Sequence, residues 1–328
     1  MNIQLMLHLD SFHMFMLCVN TIIQLVALIT NVISIRIIFL MDRHRVKRAR
    51  LLMTNIAFSD IVLILLKLRF LVLPFIVADS PLLSHVIQSV TNCLNATTLY
   101  VTSIIMVVIA CDRYYLITNV FDSPFDAIST KYLLWIVWTS SFVLSLPFAV
   151  TSDVYYFDYT NGSMMCINDQ NYLVSLNTDD KFRQITRLLR FAVQFALPSA
   201  LVAYFCAKII FCLNNTQLMD KKWIITKRFV VVFAIFLIKN SAFHMKSTKN
   251  IVIEMLSARQ TYSCYLNAEY YILYIIFNTS GSFTSLIYFW MSSEFRRLYK
   301  CYVNQWLFKS TNSGIITTDE TTVKENQC

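Results

Sequence analysis

Hydrophobic residues in this chain come in long runs broken by short charged stretches; they neither alternate with polar residues nor recur as one narrow stripe. Seven runs, 13–40, 51–77, 84–117, 131–151, 187–213, 223–247 and 267–292, each reach the length of about 20 apolar residues that spans a bilayer core ~30 Å thick. In lipid a backbone has to satisfy its own N–H and C=O groups, so each run is predicted to be a helix. The ten-residue alternation of a membrane β-barrel is not seen in the sequence. The pattern therefore predicts an all-α membrane protein, a seven-transmembrane helix bundle over 13–292 with a short outer segment at 1–12.

The connections add detail. The longest, 152–186, is polar, and two short apolar segments flank a turn: Val154-Tyr155-Tyr156-Phe157 and Met164-Met165-Cys166-Ile167 around Asn161-Gly162. Asn-Gly between two such segments predicts a β-hairpin, and Asn161-Gly162-Ser163 is also a glycosylation acceptor. After the last run, 293–308 places apolar groups at helical spacing beside basic ones, as expected of an amphipathic helix on the inner leaflet. Cys301 in it is a candidate for palmitoylation or a free thiol. Residues 309–328 are rich in Ser, Thr, Asn and Glu and read as a disordered cytoplasmic tail.

Composition narrows the function classes. The chain is 57% hydrophobic and 14% charged, with a mean hydropathy of +0.56 and three glycines, which excludes a soluble globular domain and a Gly-rich nucleotide loop. Residues 1–12 hold no Lys or Arg and no small-residue cleavage motif follows, so the first run is expected to stay as a span rather than leave as a leader. The loops after the first, fifth and seventh runs are basic: Arg43 to Arg50, then Lys221, Lys222, Lys227 and Arg228, then Arg296, Arg297 and Lys300. The acids Asp79, Asp153, Asp158, Asp169, Asp179 and Asp180 gather on the other side. By the positive-inside rule the carboxyl end faces the cytoplasm and the amino end lies outside. The net charge of +9 is mostly this inner rim, so nucleic acid is not an expected partner. Neither a nucleophile–base pair nor a metal-ligand spacing recurs in the runs, so no enzyme, metal or cofactor is expected.

Against that apolar background a few ionisable groups stand out. A mid-bilayer charge costs about 2.5–3.5 kcal/mol on insertion scales, so each needs a reason. Asp112-Arg113-Tyr114 closes the third run, and Asp60 lies in the middle of the second.

Those residues sit in motifs that appear in a fixed order. The first run has Thr30-Asn31-Val32 and the second Asn55-Ile56-Ala57-Phe58-Ser59-Asp60. The third ends Ile109-Ala110-Cys111-Asp112-Arg113-Tyr114, the fourth has Trp138 and Pro147, the fifth Phe195-Ala196-Leu197-Pro198, and Phe295-Arg296 follows the seventh. Over nearly the whole chain this resembles the rhodopsin-like G-protein-coupled receptors. Departures lie in the sixth run, where Lys239-Asn240-Ser241-Ala242 replaces the family's Cys-Trp-x-Pro, and in the seventh, where Thr284-Ser285-Leu286-Ile287-Tyr288 keeps only the tyrosine of Asn-Pro-x-x-Tyr. Losing proline removes the usual cause of a helix kink.

The resemblance implies a receptor that binds an extracellular ligand and activates a heterotrimeric G protein through outward movement of helices five and six, with arrestin and membrane lipid as further partners. Asp112, Arg113, Tyr114 and Tyr288 would form the coupling switch, with Asp112 holding Arg113 in the quiet state. Asp60 would be a sodium or water ligand, with Asn31, Thr102, Ser280 and Thr284 as companions; a simple buried, hydrogen-bonded acid is the plainer alternative. A Cys93–Cys166 disulfide is implied, although Cys93 lies about five residues nearer Arg113 than the family's outer cysteine, roughly 7 Å deeper at 1.5 Å per residue, and Cys264 is a rival partner.

For the ligand pocket the resemblance points to Asn95, Tyr100, Lys67, Arg69, Phe243, His244, Tyr270 and Tyr274. Asn95 stands where amine receptors carry an aspartate, so a cationic amine would lack its counter-ion, and the seventh run has no lysine for a retinal Schiff base. Cations line the outer halves instead, with Arg187 and Arg190 at the start of the fifth run and Lys246 and Lys249 above the sixth; they suit a carboxylate. Lys67 and Arg69, two apart on a helix, diverge by roughly 200°, so only one can face inward. The expected ligand is a peptide with an acidic group or terminal carboxylate, with a small molecule as the other option. Other readings of the same fold are an invertebrate chemosensory receptor and a receptor-like protein that does not signal; a transporter or channel fits less well, because the runs show no internal repeat.

Overall fold

The structure is a computed structural model that describes residues 11–40, 47–76, 81–118, 128–150, 155–160, 163–168, 180–215, 230–231, 233–238, 240–241, 244 and 295–301. Four long helices come first: α1 (Ser11–Leu40), α2 (Lys47–Ile76), α3 (Pro81–Thr118) and α4 (Thr130–Val150). The hairpin of β1 (Tyr155–Thr160) and β2 (Ser163–Asn168) follows, then α5 (Asp180–Phe191), a π turn (Ala192–Ala196) and α6 (Leu197–Asn215). The backbone stays helical at Phe191 and Leu197 on either side of the π turn, so α5 and α6 make one continuous rod. It starts earlier than the expected 187, because Asp180 to Thr186 mixes charged and apolar residues at helical spacing.

The hairpin forms where Asn161-Gly162 predicts it, antiparallel, with Phe157 opposite Cys166 and Thr160 opposite Ser163. It adds two strands to an otherwise helical set of described residues. Five described stretches are long and apolar enough to cross a membrane: Cys18–Leu40, Arg50–Leu68, Val86–Thr118, Thr130–Ala149 and Gln184–Cys212.

The helix at the centre is α3. Of its span 78% is buried, against 22% to 44% in the other four, and it packs on α2, α4, α6 and the π turn. One apolar core joins Leu52 and Ile56 of α2, Ile105 and Ile109 of α3, Val137 of α4, Val202 and Cys206 of α6, and Phe233 and Phe236 of the sixth run. A second core seats Phe295 beneath Ile37 and Ile38 of α1.

The described exterior is largely apolar, and several polar residues are buried among the apolar ones inside. Ile22, Ile29, Phe39, Trp135 and Val143 face outward while Asn31, Ser59, Asp60 and Ser145 are buried. Threonines inside the helices return their hydroxyls to the carbonyl one turn back, as Thr97 does to Cys93 and Thr102 to Thr98. That satisfies a polar group where no water can.

Candidate functional site

The described polar residues collect at three levels along α3. At its inner end, Arg48 in the first turn of α2 donates from Nη1 to Asp112 Oδ1 across 3.3 Å. Among the described residues Asp112 makes its ion pair with Arg48, and Arg113 lies within electrostatic reach of the same carboxylate. Neighbours in a helix point about 100° apart and do not face each other, whereas the start of α2 comes in from the side. Arg113 is half-buried, and its Nε has no hydrogen-bond partner among the described residues. Tyr114 turns away toward α6, its ring 5.8 Å from Phe205 and 5.2 Å from Tyr115. Tyr288 lies outside the described residues.

At mid-depth Asp60 is 1% exposed and Asn31 fully buried. The Thr102 hydroxyl lies 2.9 Å from Ser59 Oγ, so α2 and α3 are bridged by the residue beside Asp60, which sequence reasoning did not single out. The Asn31 amide donates to the Ala27 carbonyl of its own helix at 2.9 Å. Ser280 and Thr284 lie outside the described residues. One turn before Ser59 on α2, Asn55 Oδ1 accepts from Trp138 Nε1 at 3.1 Å, and the Trp138 ring meets Phe58 edge-on at 5.9 Å. The motif residues of the second and fourth runs thus make one joint.

The outer level holds the candidate ligand site. Tyr100 is buried against Phe148 of α4 at 6.5 Å. His244 stacks on Phe195 at 5.2 Å and meets Phe191 edge-on at 5.7 Å. Between these groups, Arg190 lays its guanidinium carbon 4.9 Å from the centre of the Phe148 ring and donates from Nε to Gln194 Oε1 at 2.9 Å. Tyr100 and His244 both lie within electrostatic reach of it. Asn95 is half-buried, and its Oδ1 has no hydrogen-bond partner among the described residues. Lys67 is buried; Arg69 belongs to α2, and its side chain lies outside the described residues. Phe243, Tyr270 and Tyr274 lie outside the described residues. Gln194, Phe148, Phe191 and Phe195 join the site without having been anticipated. One cue was present: Gln194 is a single amide in the run Ala192-Val193-Gln194-Phe195-Ala196-Leu197.

Two cysteine expectations change. Cys93 is a free, buried thiol 3.2 Å from Ser145 Oγ, which in turn lies 2.7 Å from Thr97 Oγ1. The Cys93–Cys166 disulfide is not formed: Cys93 sits deep and faces α4, while Cys166 belongs to β2. Cys301 is disulfide-bonded, and a sulfur held in that bond offers no thiolate to accept a palmitoyl chain. Asn161, the glycosylation candidate, lies outside the described residues, between the two strands.

Residues 30–288 match the family model described as 7 transmembrane receptor (rhodopsin family). The chain is also similar to neuropeptide Y receptor type 5 of Rattus norvegicus, Mus musculus and Sus scrofa, 23% identical over 189 residues in each case. That stretch is 58% of this chain and 42%, 40% and 42% of those receptors, so the match spans less than half the length of each relative. With its family match running from the first apolar run to the seventh, and its polar groups stacked along a buried third helix, the chain belongs to the rhodopsin family of seven-transmembrane receptors.

Proposed function

We propose that this membrane protein is a receptor for an extracellular peptide and that it activates a heterotrimeric G protein at the plasma membrane, amino end outside and carboxyl end inside. The observation that carries the reading is the pair of polar sites at opposite ends of α3, Tyr100 with Arg190 at the outer level and Asp112 with Arg48 and Arg113 at the inner. One apolar core spans the distance between them. A peptide ligand is favoured by the likeness to neuropeptide Y receptor type 5 and by the absence of an acid at Asn95.

Ligand binding shifts such a bundle only by favouring one of its states. A ligand drawn between Arg190 and His244 pulls on the fifth and sixth runs. Those runs meet α3 lower down through Val202, Cys206, Phe233 and Phe236, and Tyr114 rests on Phe205. Outward movement there opens the ring contact of Tyr114 and exposes Arg113, whose planar fork of five donors suits backbone carbonyls of a G protein. Arrestin would use the same cleft, lipid would hold the segment 293–308, and Asp60 would bind sodium or water.

The test is a second-messenger assay across G-protein classes on cells exposed to a peptide panel, comparing the natural chain with Arg113→Ala. Loss of response in the variant at equal surface level is expected. Responses that survive Arg113→Ala, or a natural chain silent in every class, would defeat the proposal, and the second outcome would favour a receptor-like protein that does not signal.

A further inference from the structure

We infer that Arg190 and Gln194 form a carboxylate-binding subsite, so that the ligand of the receptor proposed above presents a free acid group at this point rather than an amide or an amine. The argument starts from hydrogen-bond inventory. A guanidinium has donors only. The side chain of Gln194 must therefore turn its oxygen toward Arg190, as the 2.9 Å Nε–Oε1 contact has it, and its –NH2 group is left on the other branch. Gln194 is fully buried, and its Nε2 has no hydrogen-bond partner among the described residues. A buried N–H without an acceptor is costly, so the site calls for an acceptor from elsewhere.

The acceptor has to suit both neighbours. Arg190 supplies a positive charge and a planar fork, and Gln194 supplies an amide donor four residues along the same helix face. A carboxylate has two coplanar oxygens and a negative charge, and it accepts from both. The surroundings strengthen the match. The Phe148 ring lies under the guanidinium, and His244, packed with Phe191 and Phe195, is within electrostatic reach of it; beside such apolar rings a charge pair gains as the local dielectric falls. An aromatic or aliphatic group next to the acid fits those walls. The acid could be a terminal carboxylate or an Asp or Glu side chain, since the chemistry is shared.

The test uses the full chain, purified in lipid nanodiscs, and reads thermal stabilisation. The probes are hydrophobic tetrapeptides made in matched pairs: C-terminal acid against C-terminal amide, and internal Asp against internal Asn with the terminus amidated. Acids are expected to act at concentrations at least about tenfold lower than their uncharged partners, and the pair that shows the gap identifies the source of the carboxylate. Arg190→Gln should bring the ratio close to one. Arg190→Lys, which keeps the charge and loses the fork, should leave part of it and guards against misfolding of the first variant. Gln194→Leu should weaken the acids more than the amides, because a charged acceptor gains more from that donor. Equal action of acid and amide, a ratio that persists in Arg190→Gln, or no stabilisation by any acid in the set overturns the inference. Binding with an acid preference but no G-protein response would sink the signalling proposal alone. A response to amides as strong as to acids, lost in Arg113→Ala, would sink the subsite alone.

Discussion

Arg48 Nη1 lies 3.3 Å from Asp112 Oδ1, so the first turn of α2 is tied to the inner end of α3. The side chains are 19% and 18% exposed, which leaves the pair partly screened, and about 1 kcal/mol is a fair value for it. If this tie favours the quiet state, Arg48→Ala should raise ligand-independent signalling about fivefold, since 1 kcal/mol shifts a two-state ratio by that factor. Asp112→Asn should do the same, and the double variant should exceed neither single one. Basal second messenger, normalised to surface level, gives the answer; additive effects would mean the two residues act separately.

Asn55 and Trp138 should behave as one joint. Removing the Asn55 carbonyl leaves Trp138 Nε1 without the acceptor it has at 3.1 Å. Hydrogen bonds between membrane helices average about 0.6 kcal/mol and reach ~1.7. Asn55→Ala should therefore lower the melting temperature in detergent by a few degrees, and Trp138→Phe should add little on top of it. A melting curve for each variant decides.

Cys93 should be a thiol. Alkylation of the denatured protein without reductant, followed by mass spectrometry, should find the alkyl group on Cys93, because its sulfur faces Ser145 in the interior. Cys93→Ala should reach the cell surface at near-natural levels. Recovery of a Cys93–Cys166 linked peptide would refute this.

Asp60 should set any sensitivity to sodium. It is buried beside the Ser59–Thr102 bridge, where a carboxylate without a cation or hydrogen bonds would be costly. Sodium chloride is expected to weaken binding of an activating peptide to the natural chain more than potassium chloride does, and Asp60→Asn should erase the difference. Equal salt responses in both proteins would leave Asp60 as a hydrogen-bonded acid.

The spans were legible because lipid leaves a backbone few choices: length and hydropathy alone place α1 to α4 within a few residues of their observed ends. Asn161-Gly162 fixed the hairpin through its turn chemistry. Spacing said that Lys67 and Arg69 could not both face inward, and Lys67 is buried. Partner choice was not legible in the same way. Asp112 adjoins Arg113 in sequence, yet Arg48 reaches it from 64 positions away, a match set by how helices cross. The extra depth of Cys93 could be counted from Arg113, and that depth is why it meets Ser145 instead of a strand. Gln194 was missed because one amide in an apolar run looks the same whether it faces lipid, a neighbour or a ligand.

The π turn at Ala192–Ala196 has a wider consequence. It holds one more residue than an ordinary turn, so the rod is out of phase with itself by roughly 100° on either side of it. Deleting a single residue there would turn Arg190 by about 100° relative to Val202 and Phe205. The facing of the outer stretch of this rod is therefore set by how many residues the wide turn holds, while that of the inner stretch is set by its packing on α3.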